Sequence, residues 1–478
     1  YHRELRDSLR HVMSEHGLHD VFTDAQDLCR QTQEIQARGN AEQLEALRIN
    51  RKAGGYCTHA FTDGDWVVGA GILDIWRDPK PVFDAVKAVQ RPLYLAVRVR
   101  PRNLYASGRA TIEIVAVNDT APFAADLRVR MIDETGREVW SRTAESEIAT
   151  GVSPLLTEDV RAGDRAGACT VEALLVENAD CRARTAFEFH VFSGDAGGEP
   201  AAPVSVIDSD NVLRSFFEGR GTVVVPFADD GPGRSPVLVA PADAFSEADL
   251  VRFVHLLDWV ERGGTAVWLN APAFSEFHGQ PIYRDPENNF MMRYQQERRR
   301  PMESPPNFLI DSGAFPVALR CRPAMGMWIP VGHYARRHPI FQGLPVGGFL
   351  DVPWQNVLPR RTLTNLVGES VAGAVSWDSY HDYRAETRCW HGTDLGILAH
   401  GKGRMILSTF EIVPHLGTDP VADRMLCNLV AFAADLQEEV APAVGEAEKR
   451  LPSLTSAFAY AREQWQKKVE AAAATPWP

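Results

Sequence analysis

The chain is poor in cysteine, with seven in 478 residues: Cys29, Cys57, Cys169, Cys181, Cys321, Cys389 and Cys427. None stands in a Cys-x-x-Cys pair, and an odd count in so long a chain describes no disulfide framework. Cys169 and Cys181 are close enough in sequence to bridge neighbouring strands, but reduced thiols are the expected state. Any apolar run long enough to span a bilayer is also missing. So is an excess of positive charge: 50 Lys and Arg against 63 Asp and Glu leave a net charge of −13. That balance argues against a nucleic-acid partner, whose phosphates demand a basic face. The chain opens on Tyr1, without an initiator Met, a basic n-region or an apolar h-region. It is therefore expected to start inside a longer gene product or after processing, and it carries no readable address.

What is present is an ordinary globular composition, 45% hydrophobic and 24% charged. The length calls for two to four domains. Residues 1–53 read as helical, with Thr23 and Gln26 as a capping box and Leu28, Ile35, Leu44 and Leu47 as a sparse apolar face. Tyr56 to Phe61 reads as a short strand ending on Thr62 and Asp63, and Val82 to Val89 as a helix with Pro81 in its first turn. From Pro92 the period changes to two. Strand-like runs at 109–117, 122–132, 137–143, 168–176 and 183–192, between turn signals, imply a β-sandwich of immunoglobulin-like type. Residues 193–203 are a linker rich in Gly, Ala and Pro. Beyond it, apolar runs at 204–207, 222–226, 236–240 and 265–269 alternate with helices at 210–218 and 246–262, the pattern of a doubly wound α/β domain. A hairpin at 395–409 and a helix at 418–437 follow, then an Ala- and Glu-rich helical tail.

The run Gly54 to Lys80 holds Gly55, Tyr56, Thr62, Asp63, Trp66, Leu73, Asp74, Arg77, Pro79 and Lys80. It resembles the last β/α unit of the catalytic barrel of family 2 glycoside hydrolases, the β-galactosidases, β-mannosidases, β-glucuronidases and exo-glucosaminidases. Gln31 to Ala37 is similar to the helix before that unit. Residues 203–270 and 403–432 resemble class I glutamine amidotransferase-like domains appended to some glycosidases. The resemblance implies four parts: 1–91, an incomplete C-terminal piece of a (β/α)8 barrel; 92–193, the sandwich; 203–437, the amidotransferase-like domain; and 438–478, the tail. It also implies retaining hydrolysis of terminal β-D-glycosides. Both catalytic glutamates of the family belong to earlier barrel strands, so no catalytic residue is expected in this chain, nor any cofactor.

Within the run, Asp63 and Trp66 are the expected sugar contacts, one accepting hydroxyl hydrogen bonds and one stacking on a pyranose face. His59 reads as a core residue, Asp65 as a solvated carboxylate, and Asp74 to Lys80 as the brace of the loop. Glu34, Glu42 and Glu45 on the early helix read as solvated charges, and Arg298 to Arg300 as a solvated basic run. The amidotransferase-like domain should be catalytically empty. Leu269 is followed by Asn270, Ala271 and Pro272 with no cysteine, Cys321 lacks flanking glycines, and Cys427 lies within a helix. His381, Cys389 and His391, and His333 with His338, lack the tight spacing of zinc ligands. The expected partner is a β-glycoside, with no nucleic acid and no membrane. The competing class is a non-catalytic scaffold for carbohydrate binding or self-association into a homo-oligomer.

Overall fold

Glu, Gln, Ala, Arg and Leu dominate residues 25–48, and their helix propensity is realised in one unbroken helix. The computed structural model describes residues 2–64, 69–194, 203–228, 232, 235–240, 247–269, 276–277, 319–324, 331–377, 389–443 and 445–474. Helix α1 (His2–Glu15) is separated from α2 (Ala25–Arg48) by a 3-10 turn at Leu18–Asp20, so the helical early region is two helices. The cap of α2 is Asp24, not Thr23. Asp24 Oδ1 accepts from Asp27 N at 2.8 Å, and Asp27 Oδ2 accepts from Thr23 N at 3.1 Å. The reciprocal box is shifted by one residue, because a carboxylate at the helix N-terminus also meets the positive end of the dipole.

The two helices have different neighbours. Val12 and Met13 of α1, with Leu18 and Phe22, pack on Tyr334, Val375 and Cys389 from the C-terminal half. Arg336 donates to the carbonyls of His16 at 2.6 Å and Gly17 at 3.0 Å, satisfying acceptors that the end of α1 leaves open. Helix α2 instead packs on α3 (Pro81–Val89) through Ala37, Leu44, Val82, Val86 and Val89. The 54–61 stretch between them differs from expectation. It forms no strand; Tyr56 and Phe61 are 41% and 62% exposed, and His59 is exposed rather than in a core. A strand needs a neighbour for its N–H and C=O groups, and the ladder partners seen here reach only its end, where Phe61 O accepts from Ile72 N and Leu73 N.

Period-two alternation builds the next unit. Strands β1 (Leu93–Arg100), β3 (Arg109–Asn118) and β6 (Gly151–Arg161) form one sheet. The other, in the order β2-β8-β7-β4-β5, comprises β2 (Asn103–Tyr105), β4 (Phe123–Ile132), β5 (Glu138–Ile148), β7 (Gly167–Glu177) and β8 (Asp180–Phe192). Leu95, Val97, Ile112, Ile114, Leu127, Val129, Val171 and Phe189 close the core between them.

In the C-terminal half, β9 (Val204–Ile207), β10 (Val224–Pro226), β11 (Val237–Val239), β12 (Thr265–Trp268) and β19 (Gly403–Ser408) pair in parallel in the order β10-β9-β11-β12-β19. The runs of β9, β11, β12 and β19 are buried on both faces, as inner parallel strands require, while β10 at the edge is half-exposed. One face carries α4 (Val212–Glu218) and α6 (Pro420–Leu436). The other carries α5 (Glu247–Glu261) and α7 (Glu446–Ala474), whose Phe458 is fully buried. The tail is therefore part of this unit. Antiparallel β18 (Cys389–His400), β17 (Glu369–Trp377), β16 (Arg361–Leu363), β15 (Gly332–Ala335) and β14 (Arg320–Pro323) extend the sheet past β19, and the short β13 (Glu276–Phe277) adds to β14 in parallel. The expected linker lies mostly outside the described residues.

The molecule is thus a multidomain α/β plus β protein. Two residues of β2 lock the sandwich to the α/β unit. Asn103 Nδ2 donates to Pro353 O at 2.7 Å, and Tyr105 donates to Asp423 of α6, which is fully buried.

Candidate functional site

The Gly54–Lys80 run folds into a tight double crossing rather than a strand and loop. Asp63 N donates to Leu73 O at 2.9 Å, Ile72 N to Phe61 O at 3.1 Å, and Lys80 N to Ile72 O at 3.2 Å. Gly71 lies where the chains cross; a Cβ there would sit 2.3 Å from Asp63 N, so only glycine fits. Asp63 is the hub. Its Oδ1 accepts from Gly71 N at 2.6 Å and its Oδ2 from Lys80 Nζ at 3.0 Å, with both side chains buried. Lys80 Nζ also reaches Gly69 O at 3.2 Å, and Gln36 of α2 donates to Ala70 O at 3.1 Å. Asp74 Oδ1 accepts from Trp76 N and Asp78 N at 2.9 and 2.8 Å, an Asx-type turn. Trp66 and Asp65 lie outside the described residues.

This crossing turns apolar side chains outward. Besides Tyr56 and Phe61, Ile75 is exposed and Trp76 is 77% exposed. Leu47, at the end of α2, is exposed as well.

A second concentration of functional groups was not legible as a site. Gln31, Arg38, Glu42 and Glu45 follow one another on α2 at intervals of seven, four and three, which places them on one face. That face borders a cavity of 810 Å³ whose other walls are β1, β8 and the 345–354 loop. Four arginines line it (Arg38, Arg98, Arg100, Arg102) beside four carboxylates (Glu42, Glu45, Glu188, Asp351). Glu42 takes a forked pair of hydrogen bonds from Arg102 at 2.9 and 3.0 Å, and the Arg102 guanidinium lies 5.0 Å over the Phe187 ring. Arg38 pairs with Asp351. Glu45 accepts from Tyr94 Oη at 2.6 Å and has Arg98 Nε at 3.7 Å. Burial pushes the Glu45 carboxyl above its usual range, and the Tyr94 hydrogen bond and Arg98 only partly oppose it. Glu45 is therefore not the solvated charge expected, because it is buried against Tyr94 and Arg98 of the sandwich; Glu42, though paired with Arg102, keeps a side chain 38% exposed. Glu34, paired with Arg30 on the exposed side of α2, is solvated as expected.

In the α/β unit, the strand order reverses between β9 and β11, the place where doubly wound sheets bind ligands. There Asp208 Oδ2 accepts from Leu213 N at 2.7 Å and Arg214 N at 3.2 Å, occupying the first free donors of α4. Cys321 is buried in β14. Burial pushes the Cys427 thiol up to about 11, the reverse of what a thiolate nucleophile needs. The segment after Leu269 lies outside the described residues. His333 Nδ1 and Asp394 Oδ2, 2.7 Å apart, form a buried pair. His391, bonded through Nε2 to Tyr334 Oη at 2.7 Å, stacks on His16 at 4.0 Å between ring centroids. No group of three His, Cys, Asp or Glu among the described residues is arranged to hold a metal. No described helix is long and apolar enough to cross a membrane. His381 and Arg298 to Arg300 lie outside the described residues.

No family model and no curated protein matches the sequence. Among solved structures, a β-D-mannosidase from Dictyoglomus thermophilum is 20% identical over 33% of this chain and 19% of its own, with a TM-score of 0.29. A β-glucuronidase from glycoside hydrolase family 2 is 13% identical over 43% of this chain and 23% of its own, at 0.21. An alkylpurine DNA glycosylase from Pseudomonas fluorescens is 13% identical over 23% and 33%, at 0.18. The chain spans a third or less of each of these proteins. Two of the three are glycoside hydrolases, and at these scores the likeness is one of local elements.

Proposed function

We propose that this chain is the C-terminal part of a retaining β-glycosidase of the family 2 type. Residues 1–91 complete a (β/α)8 barrel whose remaining strands lie outside this chain, the sandwich is immunoglobulin-like, and the α/β unit is an amidotransferase-like domain without catalysis. The observation that carries this reading is the Gly54–Lys80 run. Its residues resemble the family's barrel-closing motif, and it leaves Tyr56, Phe61 and Trp76 uncovered beside backbone that joins no sheet. A barrel strand and its loop, without the strands beside them, would leave this kind of apolar surface.

In the whole enzyme, one carboxylate attacks the anomeric carbon as a second protonates the departing oxygen. Water then cleaves the glycosyl ester with the second residue as base. Both groups belong to residues outside this chain. The part played here is the wall of the sugar pocket. Asp63, whose oxygens accept from Gly71 N and Lys80 Nζ in a buried pair, fixes the shape of that wall and meets a sugar hydroxyl only through the small part of its carboxylate left open. Trp66 stacks on the ring. Hydrolysis of aryl β-glycosides, measured for this chain and for a polypeptide carrying the remaining barrel strands, tests the proposal. Activity confined to the longer protein, with KM raised at least tenfold by Trp66→Ala, is the expected result. Inactivity of both would favour the scaffold, and turnover by this chain alone would contradict the placement of the glutamates.

A further inference from the structure

The cavity between α2, the sandwich and the 345–354 loop has no part in that reaction. We infer that it is a binding site for a neutral, hydroxyl-rich small molecule of saccharide type. Its 810 Å³ falls in the range of roughly 300–1,000 Å³ that holds small ligands, and cavities at the meeting of domains are where such ligands are most often found.

The lining selects the class. Four arginines balance four carboxylates, so the walls offer no net charge to recruit an anion or a cation. They offer fixed donors beside fixed acceptors, the complement of neighbouring hydroxyls that both donate and accept. The ion pairs hold these groups in place, as the forked Arg102–Glu42 contact does.

One group is left over. His190, on β8, lines the cavity, and its Nδ1 is buried without a hydrogen-bond partner. Its backbone N donates to Arg102 O at 2.8 Å, which fixes the residue beside the arginine pair. Glu188, two residues earlier on the same face of β8, is exposed and offers its carboxylate oxygens to the cavity. Because the walls come from three parts of the chain, an occupant would hold them together and stabilise the folded protein by mass action.

The test is calorimetric titration and thermal unfolding of the 478-residue chain with glucose, mannose and cellobiose, and with citrate as a charged control. At least one neutral sugar should bind saturably and raise the unfolding temperature, and citrate should do neither. Glu188→Ala should weaken that binding about tenfold while the ligand-free variant unfolds at nearly the same temperature, since the residue is exposed. Ala186→Trp, at an exposed position on the cavity wall outside every ion pair, should abolish the shift and leave the fold intact by circular dichroism. The inference is overturned if none of the sugars binds, if citrate binds in their place, or if both variants bind as the parent does. Such a failure would leave the reading of Gly54–Lys80 untouched, because the cavity argument does not rest on it.

Discussion

Asp63 and Lys80 form a buried ion pair, with side chains 9% and 5% exposed, so removing one partner strands the other away from water. Lys80→Met should cost about 3 kcal/mol in chemical denaturation; a loss near zero would show that the crossing is held by its backbone bonds alone. Glu45 behaves in the opposite sense. Its folded-state pKa lies above the ordinary glutamate value of 4.5, so the folded protein takes up the proton more readily than the unfolded chain. Its contribution is full below 4.5 and is lost as pH rises through the raised value. Glu45→Gln, which keeps an acceptor for Tyr94, should therefore stabilise the protein at pH 7, with the gain shrinking toward zero near pH 4. A gain that grew on acidification would contradict the burial. The sequence could not show this state of Glu45. Its spacing with Gln31, Arg38 and Glu42 marks a helix face, but the partners Tyr94, Arg98 and Arg102 come from the next unit. Asp63 was legible as the polar end of a strand-like run, and its bond to Lys80, seventeen residues on, was not.

At the level of elements, α1 rests on a histidine that burial keeps neutral. The His391 pKa is lowered to about 3, chiefly by desolvation, with His16 and Arg336 adding to it; burial also lowers His16. The folded state thus binds fewer protons than the unfolded one below pH 6.5, and the docking of α1 weakens progressively as pH falls from there toward 3. Hydrogen exchange across His2–Glu15 should accelerate between pH 6.5 and 4 before the sandwich amides respond. His391→Phe should remove most of that pH dependence; an unchanged profile would locate the sensitivity elsewhere. Strands showed through the sequence where both period and burial were strong, as in β1, β3, β4 and β7. Strand β6 was missed. It is an edge strand whose residues are mostly half exposed, and its Pro154 pairs with Val115 just past a bulge between Ile114 and Val115, a place where proline is tolerated but strand signals fade. The short β2 was missed because three residues carry no period.

Across the whole molecule, the sandwich and the α/β unit meet through Asp423, which accepts from Tyr105, from Arg220 at 2.7 Å and from Gly417 N at 2.6 Å. Tyr105→Phe removes one bond to a buried carboxylate and should cost about 2 kcal/mol; separate unfolding transitions for the two units would be the calorimetric sign that this contact couples them. The order of units was readable because the hydrophobic period changes near Pro92 and again after 203. Their docking was not, since Asn103, Tyr105 and Asp423 are hundreds of residues apart or carry no pattern. The central claim concerns the stretch that found no sheet. Hydrogen exchange of the Tyr56–Phe61 amides, compared between this chain and a polypeptide carrying the remaining barrel strands, tests it most directly. Fast exchange here and strong protection in the longer protein is the predicted result. Equally fast exchange in both would contradict the claim that this segment is one strand of a larger barrel.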